Sequence, residues 1–337
     1  MKGNSRRKLD QITFVEQVRE CRDNGYLLSF KKIVSGVFSK VYLAYATHEH
    51  LQHNPKLFSV QKGQGTALPQ PAPQGPSLTQ QTPSTPQVAI KIITTAKALV
   101  EFSHKFLPCE ILSLNTTYKH LNVVQLYKTY QNSQCSCLLL ELAARGNLLE
   151  HINTTLDHRC HPGLEKEEAH GLFWQLVSAV AHCHSMGITH QDLKCWMTHH
   201  PPHLPCTDFG LANCMGPRNS LLRTFCTSAA PTAPGILMSK KYSGEPADLW
   251  SLNVILYAMV SEKLPFKECR PHCMLHLMHQ AAAVSPCPEC QDLIWGLLQL
   301  HPHKHLGLQQ VAAHCWMLHV ANMLFLSAVP GVVGARG

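Results

Sequence analysis

The 337-residue chain is poor in charge, with 15% charged residues against 45% hydrophobic ones, and that balance excludes an intrinsically disordered polyelectrolyte. It lacks the run of about 20 apolar residues that a membrane helix requires. The stretch from Ala321 to Gly337 is apolar, but Pro330 and the glycines after it interrupt the run, so no membrane segment is expected. Met1 to Asp10 is charged and carries no apolar signal run. The 15 cysteines are therefore expected as reduced thiols in a cytoplasmic protein rather than as a disulfide framework. Metal-ligand spacing is missing too. Cys287-Pro288-Glu289-Cys290 stands alone and His272 follows no fixed interval from it, so these residues read as the start of a helix. No nucleic-acid motif occurs, and the formal charge of +8 is spread along the chain as a solvated surface would spread it.

What is present forms one unit of two lobes. Residues 1–24 are a polar lead with a helical pattern that sets Phe14, Val15 and Val18 on one face. Lys32 to Val41 alternates apolar positions about a turn containing Gly36, the pattern of a β-hairpin. From His48 to Gln87 the chain holds seven prolines and eight glutamines with almost no apolar periodicity, so a disordered insert is expected there. Val88-Ala89-Ile90-Lys91-Ile92-Ile93 is a buried-strand pattern with one lysine inside it, and a buried ammonium is costly unless paired or functional. Lys105 to Leu112 offers a helix carrying Glu110, at an interval from Lys91 that suits a strand, a turn and about two helical turns. His120 to Tyr127 and Cys137 to Leu142 read as two further strands. A long amphipathic helix spans about Glu165 to Ser185, apolar at Phe173, Leu176, Val177, Val180 and Ala181.

The central stretch reads His190-Gln191-Asp192-Leu193-Lys194 and then, after a connector rich in proline and histidine, Asp208-Phe209-Gly210. These resemble the catalytic loop and the metal-binding loop of protein kinases. The hairpin resembles the glycine-rich loop that covers ATP, and Val88 to Lys91 resembles the strand whose lysine meets the phosphates. Lys105 to Glu110, Glu141 to Ile152, Thr224-Phe225-Cys226, Ala247 to Leu252 and Val254 to Val260 are similar to the testis-specific serine kinases. That group belongs to the calcium/calmodulin-dependent and AMP-activated branch. The resemblance runs from about Gly25 to Met317, leaving out the insert.

It implies an α+β, two-lobed protein kinase fold: a small antiparallel sheet lobe over 25–140, interrupted by the insert at 48–87, and a helical lobe over 141–317, followed by an apolar tail at 318–337. It also implies ATP and Mg2+ as cofactors and a protein substrate or protein partner, with no nucleic acid and no membrane. By resemblance, Asp192 orients the substrate hydroxyl, Lys194 steadies the transferred phosphoryl group and Asp208 holds magnesium. Lys91 meets the phosphates and Glu110 orients Lys91. Gly36, Val41 and Ala89 surround the nucleotide. Leu140 is the gatekeeper, and the backbone from Glu141 to Ala143 meets adenine.

The departures bear on rate. Gln191 stands for the arginine that reads a phosphate on the activation segment, and it lacks the charged fork. Met197 stands for the metal-binding asparagine, and a thioether is a poor ligand for magnesium. Val34 replaces the first glycine of the hairpin. Thr198 to Pro205 carries three prolines, so regular strands are not expected between Met197 and Cys206, and His199 takes the place of a leucine under adenine. Gly235 and His305 replace the two partners of a buried ion pair, a joint loss that strands no charge. Asn253 replaces a helix glycine and is expected to cost little. Much-reduced or absent catalysis is the reading these changes favour. An active kinase with unusual metal ligation and a non-catalytic scaffold are the alternatives.

Overall fold

The structure is a computed structural model, and it describes residues 14–36, 39–47, 86–95, 102–143, 148, 164–191, 193–195, 206–207, 213–214, 244–261, 287–297 and 306–318. The chain divides into two compact units. The first holds residues 1–103 and 125–142, and the second holds 104–124 and 143–337.

The first unit is an antiparallel sheet with strand order β1-β2-β3-β5-β4. Its strands are β1 (Tyr26–Ser35), β2 (Ser39–Ala46), β3 (Gln87–Thr94), β4 (Leu126–Gln131) and β5 (Cys135–Glu141). Alternation assigns the two faces of each strand. Tyr42, Ala44, Val88, Ile90, Ile92, Cys137 and Leu139 share one buried cluster, with Phe14, Val18 and Cys21 of helix α1 (residues 14–23) packed against it. Phe14 meets Phe30 and Tyr42 at ring-centroid distances of 5.3 and 5.4 Å. At its other end α1 is tied to β4 and β5: the Cys21 thiol lies 3.0 Å from the Tyr130 hydroxyl, and Asn132 Nδ2 donates to the Glu20 carboxylate at 2.6 Å. Burial pushes the Cys137 thiol up to about 12 and raises that of Cys21, which keeps both protonated and makes them packing groups rather than nucleophiles.

Two local expectations change here. Val15 is 66% exposed, because the face that packs runs through positions 14, 18 and 21, spaced by four and three. Pro86 and Gln87, read as the end of the insert, belong to the sheet: the Ala46 amide donates to the Pro86 carbonyl at 3.1 Å, and Gln87 pairs with Tyr45. The insert from residue 48 to 85 lies outside the described residues.

A π-helical turn (Phe102–Phe106) leads into α2 (Leu107–Thr117) of the second unit, with Pro108 in its first turn. The segment 120–125, expected as strand, is a turn with an isolated bridge from Val123 to Cys206, and β4 starts only at Leu126. Helix α3 (Lys166–Ser185) buries Leu172, Phe173, Leu176, Val177, Val180 and Cys183. Ala181 is exposed, and Ala179 takes the buried place expected for it.

Four two-residue strands follow: β6 (Ile188–Thr189), β7 (Lys194–Cys195), β8 (Cys206–Thr207) and β9 (Asn213–Cys214). Helix α4 (Gly244–Ser261) is buried on nearly every side, as an apolar helix inside a core must be, and it packs on α3. Asn253 within it is 1% exposed, and among the described residues its Oδ1 has no hydrogen-bond partner. That substitution therefore carries a desolvation cost of about 1–3 kcal/mol, more than the sequence led us to expect. Among the described residues, helices α5 (Pro288–Leu297) and α6 (Leu308–Ala312) follow, and Trp316 packs edge-on to His170 and Phe173. Cys287 precedes α5 and Cys290 is buried in its first turn, which agrees with the helix-start reading. Among the described residues no group of three or more His, Cys, Asp or Glu side chains could hold a metal, and no helix is long and apolar enough to cross a membrane.

Candidate active site

In the first unit, strand register brings together residues that the sequence marked separately. Lys91 stands between Val41 of β2 and Leu138 of β5, and Ala89 stands between Leu43 and Leu140. Both rows lie on the face turned away from α1, since the residues on either side of them contribute to the cluster beneath that helix. The result is an apolar strip with one ammonium in line with it. Lys91 is only 8% exposed, and a buried ammonium is costly unless it is paired or hydrogen-bonded.

The hairpin between β1 and β2 is closed by the Gly36 amide, which donates to the Ser39 carbonyl at 2.8 Å, and Val34 pairs with Val41. A side chain at Gly36 would approach the Ser39 hydroxyl at 3.2 Å, so the position favours glycine through space rather than through an unusual φ. At the end of β5, Glu141 and Gln125 bond twice: the Glu141 amide donates to the Gln125 carbonyl at 2.9 Å, and the Gln125 amide donates to the Glu141 carboxylate at 3.3 Å. The Glu141 amide is thus engaged within the sheet. Burial raises the Glu141 carboxyl above the usual carboxylate range, and the Gln125 bond works against that rise. Ala143, two residues on, is half-buried.

The second unit holds the catalytic-loop residues. Glu110 is buried at 1% exposure in α2. The chain just ahead of Asp192 is anchored by a residue to which the sequence reading gave no role, Asp248 of α4. Its Oδ1 accepts the Gln191 amide at 2.6 Å, and its Oδ2 accepts the His190 amide at 2.9 Å and His184 Nε2 at 2.8 Å. Asp248 is fully buried, which is tolerable because three donors replace its water. Gln191 sits at φ 66°, in the left-handed region that residues other than glycine seldom adopt, so the backbone that Asp248 anchors carries a cost in strain. The clue in the sequence was a carboxylate inside an otherwise apolar helix, Ala247-Asp248-Leu249-Trp250, but its partners lie 57 and 58 residues away.

Thr189, just before the loop, receives the Gln191 side-chain amide on its hydroxyl at 3.1 Å. It pairs with Asn213 across β6 and β9. It also lies against Gly244, where an added Cβ would come within 2.5 Å of the Thr189 hydroxyl. Beyond the loop, the Lys194 backbone pairs with Thr207 and Cys195 with Cys206. This short ladder sets the residue before Asp208 opposite Lys194. It frames the connector 196–205, which lies outside the described residues. So do Asp192, Asp208, Met197, Gly235 and His305. For magnesium only donor chemistry therefore speaks: one carboxylate at 208 suits the ion, and a thioether at 197 does not.

Residues 78–317 match the family model described as protein kinase domain. The chain is 61% identical over 328 residues to testis-specific serine/threonine-protein kinase 5 of Mus musculus, covering 96% of this chain and 83% of that protein. It is 34% identical over 242 residues to testis-specific serine/threonine-protein kinase 1 of Homo sapiens, covering 68% and 64% of the two chains. It is 32% identical over 239 residues to testis-specific serine/threonine-protein kinase 3 of Homo sapiens, covering 68% and 86%.

Proposed function

The chain belongs to the protein kinase family, among its testis-specific serine/threonine members, and from this premise we propose that it binds ATP weakly and transfers the γ-phosphoryl group to serine or threonine far more slowly than an intact kinase. The observation that carries this reading is the anchored catalytic loop. Asp248 fixes the two amides ahead of Asp192, the arrangement a positioned nucleophile requires. In this reading Lys91 binds the phosphates, Glu110 orients Lys91, Asp192 orients the substrate hydroxyl and Lys194 neutralises the moving phosphoryl group. Magnesium, held by Asp208, would draw charge from the phosphates. Loss of one electrostatic stabiliser typically costs about 10²–10³ in rate, and Met197 removes one such ligand. The protein acts in the cytoplasm on a protein substrate in this proposal, with neither membrane nor nucleic acid involved.

A second reading, a non-catalytic scaffold, is favoured by the same Met197 together with Gln191, since a thioether is a poor magnesium ligand and glutamine lacks the charged fork of arginine. One experiment separates the readings: a thermal-shift titration with ATP and magnesium or manganese, run beside transfer of labelled phosphate to a generic serine/threonine peptide. The expected result is a small saturable stabilisation and turnover about 10²–10³-fold below an intact kinase. Robust turnover that vanishes on Lys91→Met would overturn it in favour of an ordinary kinase. Absence of any nucleotide stabilisation would overturn it in favour of the scaffold.

A further inference from the structure

We propose that Thr189 is a positioning residue of the catalytic loop: its hydroxyl holds the side chain of Gln191 from within the helical unit. The proposal rests on the catalytic-loop reading above and deepens it. Gln191 is 5% exposed, and its Nε2 donates to Thr189 Oγ1 at 3.1 Å while its backbone amide donates to Asp248 Oδ1 at 2.6 Å. One residue is thus gripped at both its main chain and its side chain, at a backbone torsion that costs energy unless its surroundings enforce it.

Thr189 is fitted to this task. It is fully buried, its backbone is fixed by pairing with Asn213, and Gly244 leaves room for its Oγ1, Cβ and Cγ2 where any Cβ would collide with all three. Among the described residues, the groups that make the brace come from 184–191, 213 and 244–248. An arginine at 191 would point a charge outward to be satisfied by a phosphate. A glutamine is neutral and short, and it finds its partner two residues back.

The test is hydrogen–deuterium exchange of the full chain, read by mass spectrometry on the peptide spanning residues 186–191, with a peptide inside α4 as the control for global opening. Thr189→Val keeps the shape and removes the acceptor. It is expected to speed exchange of the loop peptide by about five- to ten-fold while the α4 control stays unchanged, the fold-change that one internal hydrogen bond represents. Thr189→Ser restores the acceptor and is expected to return exchange to the wild-type rate. Gln191→Met removes the donor and should match Thr189→Val, and the double variant should be no faster than either single one. Wild-type exchange in Thr189→Val, failure of serine to rescue, or additive effects in the double variant would each overturn the proposal. None of these readouts requires turnover, so an inactive enzyme leaves the outcome decisive.

Discussion

Replacing Asp248 with asparagine tests the anchor of the catalytic loop most directly. The carboxylate accepts three hydrogen bonds, one on Oδ1 from Gln191 and two on Oδ2 from His190 and His184, at 2.6–2.9 Å. An asparagine offers one oxygen and one NH2 group. Placed over the Oδ2 site, the NH2 would oppose two donors, so it must take the Oδ1 site and oppose the Gln191 amide. That leaves a buried N–H facing another donor, at about 1–3 kcal/mol, and reduces two charge-assisted bonds to neutral ones, at about 1 kcal/mol each. The total is about 3–5 kcal/mol, partly relieved because Gln191 is freed from its strained φ of 66°. For a unit of this size the expected drop in melting temperature is on the order of 10 °C. Differential scanning calorimetry measures it, and exchange at residues 186–191 should rise together with the loss of stability. A variant that melts within about 1 °C of the wild type, with that peptide still protected, would refute the claim that Asp248 holds the loop.

Gly244→Ala should lower stability by about 1–3 kcal/mol, because the new methyl meets a fully buried Thr189 with nowhere to retreat; urea unfolding midpoints measure this, and an unchanged midpoint would show that β6 can yield. His120 has its pKa lowered below 6.5 chiefly by burial and then by the stacked His182, while its Nδ1 accepts the Asn122 amide. The unfolded chain therefore binds that proton more readily. The stability His120 contributes is complete above about pH 6.5 and falls as pH drops toward and through the depressed folded value, so melting temperatures from pH 7.5 to 5.5 should decline less steeply in His120→Gln than in the wild type. Phe14→Ala should destabilise the sheet unit by about 1–2 kcal/mol through lost contact with Phe30 and Tyr42; a guanidinium midpoint equal to the wild type's would mean that α1 does not contribute to that core.

The sequence by itself determined the elements whose signal is local. A continuous apolar run around Lys91 marks a strand buried on both faces, and the 3.6-residue apolar stripe of α3 marks its packed side, because both signals lie among neighbours along the chain. The catalytic and metal loops were likewise legible as contiguous words, and Gln191 and Met197 stood out against them. Where the local signal is ambiguous, packing decides. Val15 is as apolar as Val18 yet faces solvent, and 120–125 has strand-like residues yet turns. Tertiary structure alone decided that Asp248 reaches back 57 residues to the Gln191 amide, and that Cys21 meets Tyr130 across 109 residues. It also decided that Gly244 is small because Thr189 needs its space. No periodicity encodes such pairings. They exist only once helices and strands have packed, when a buried donor must find an acceptor or a methyl group must find room, wherever along the chain the partner happens to lie.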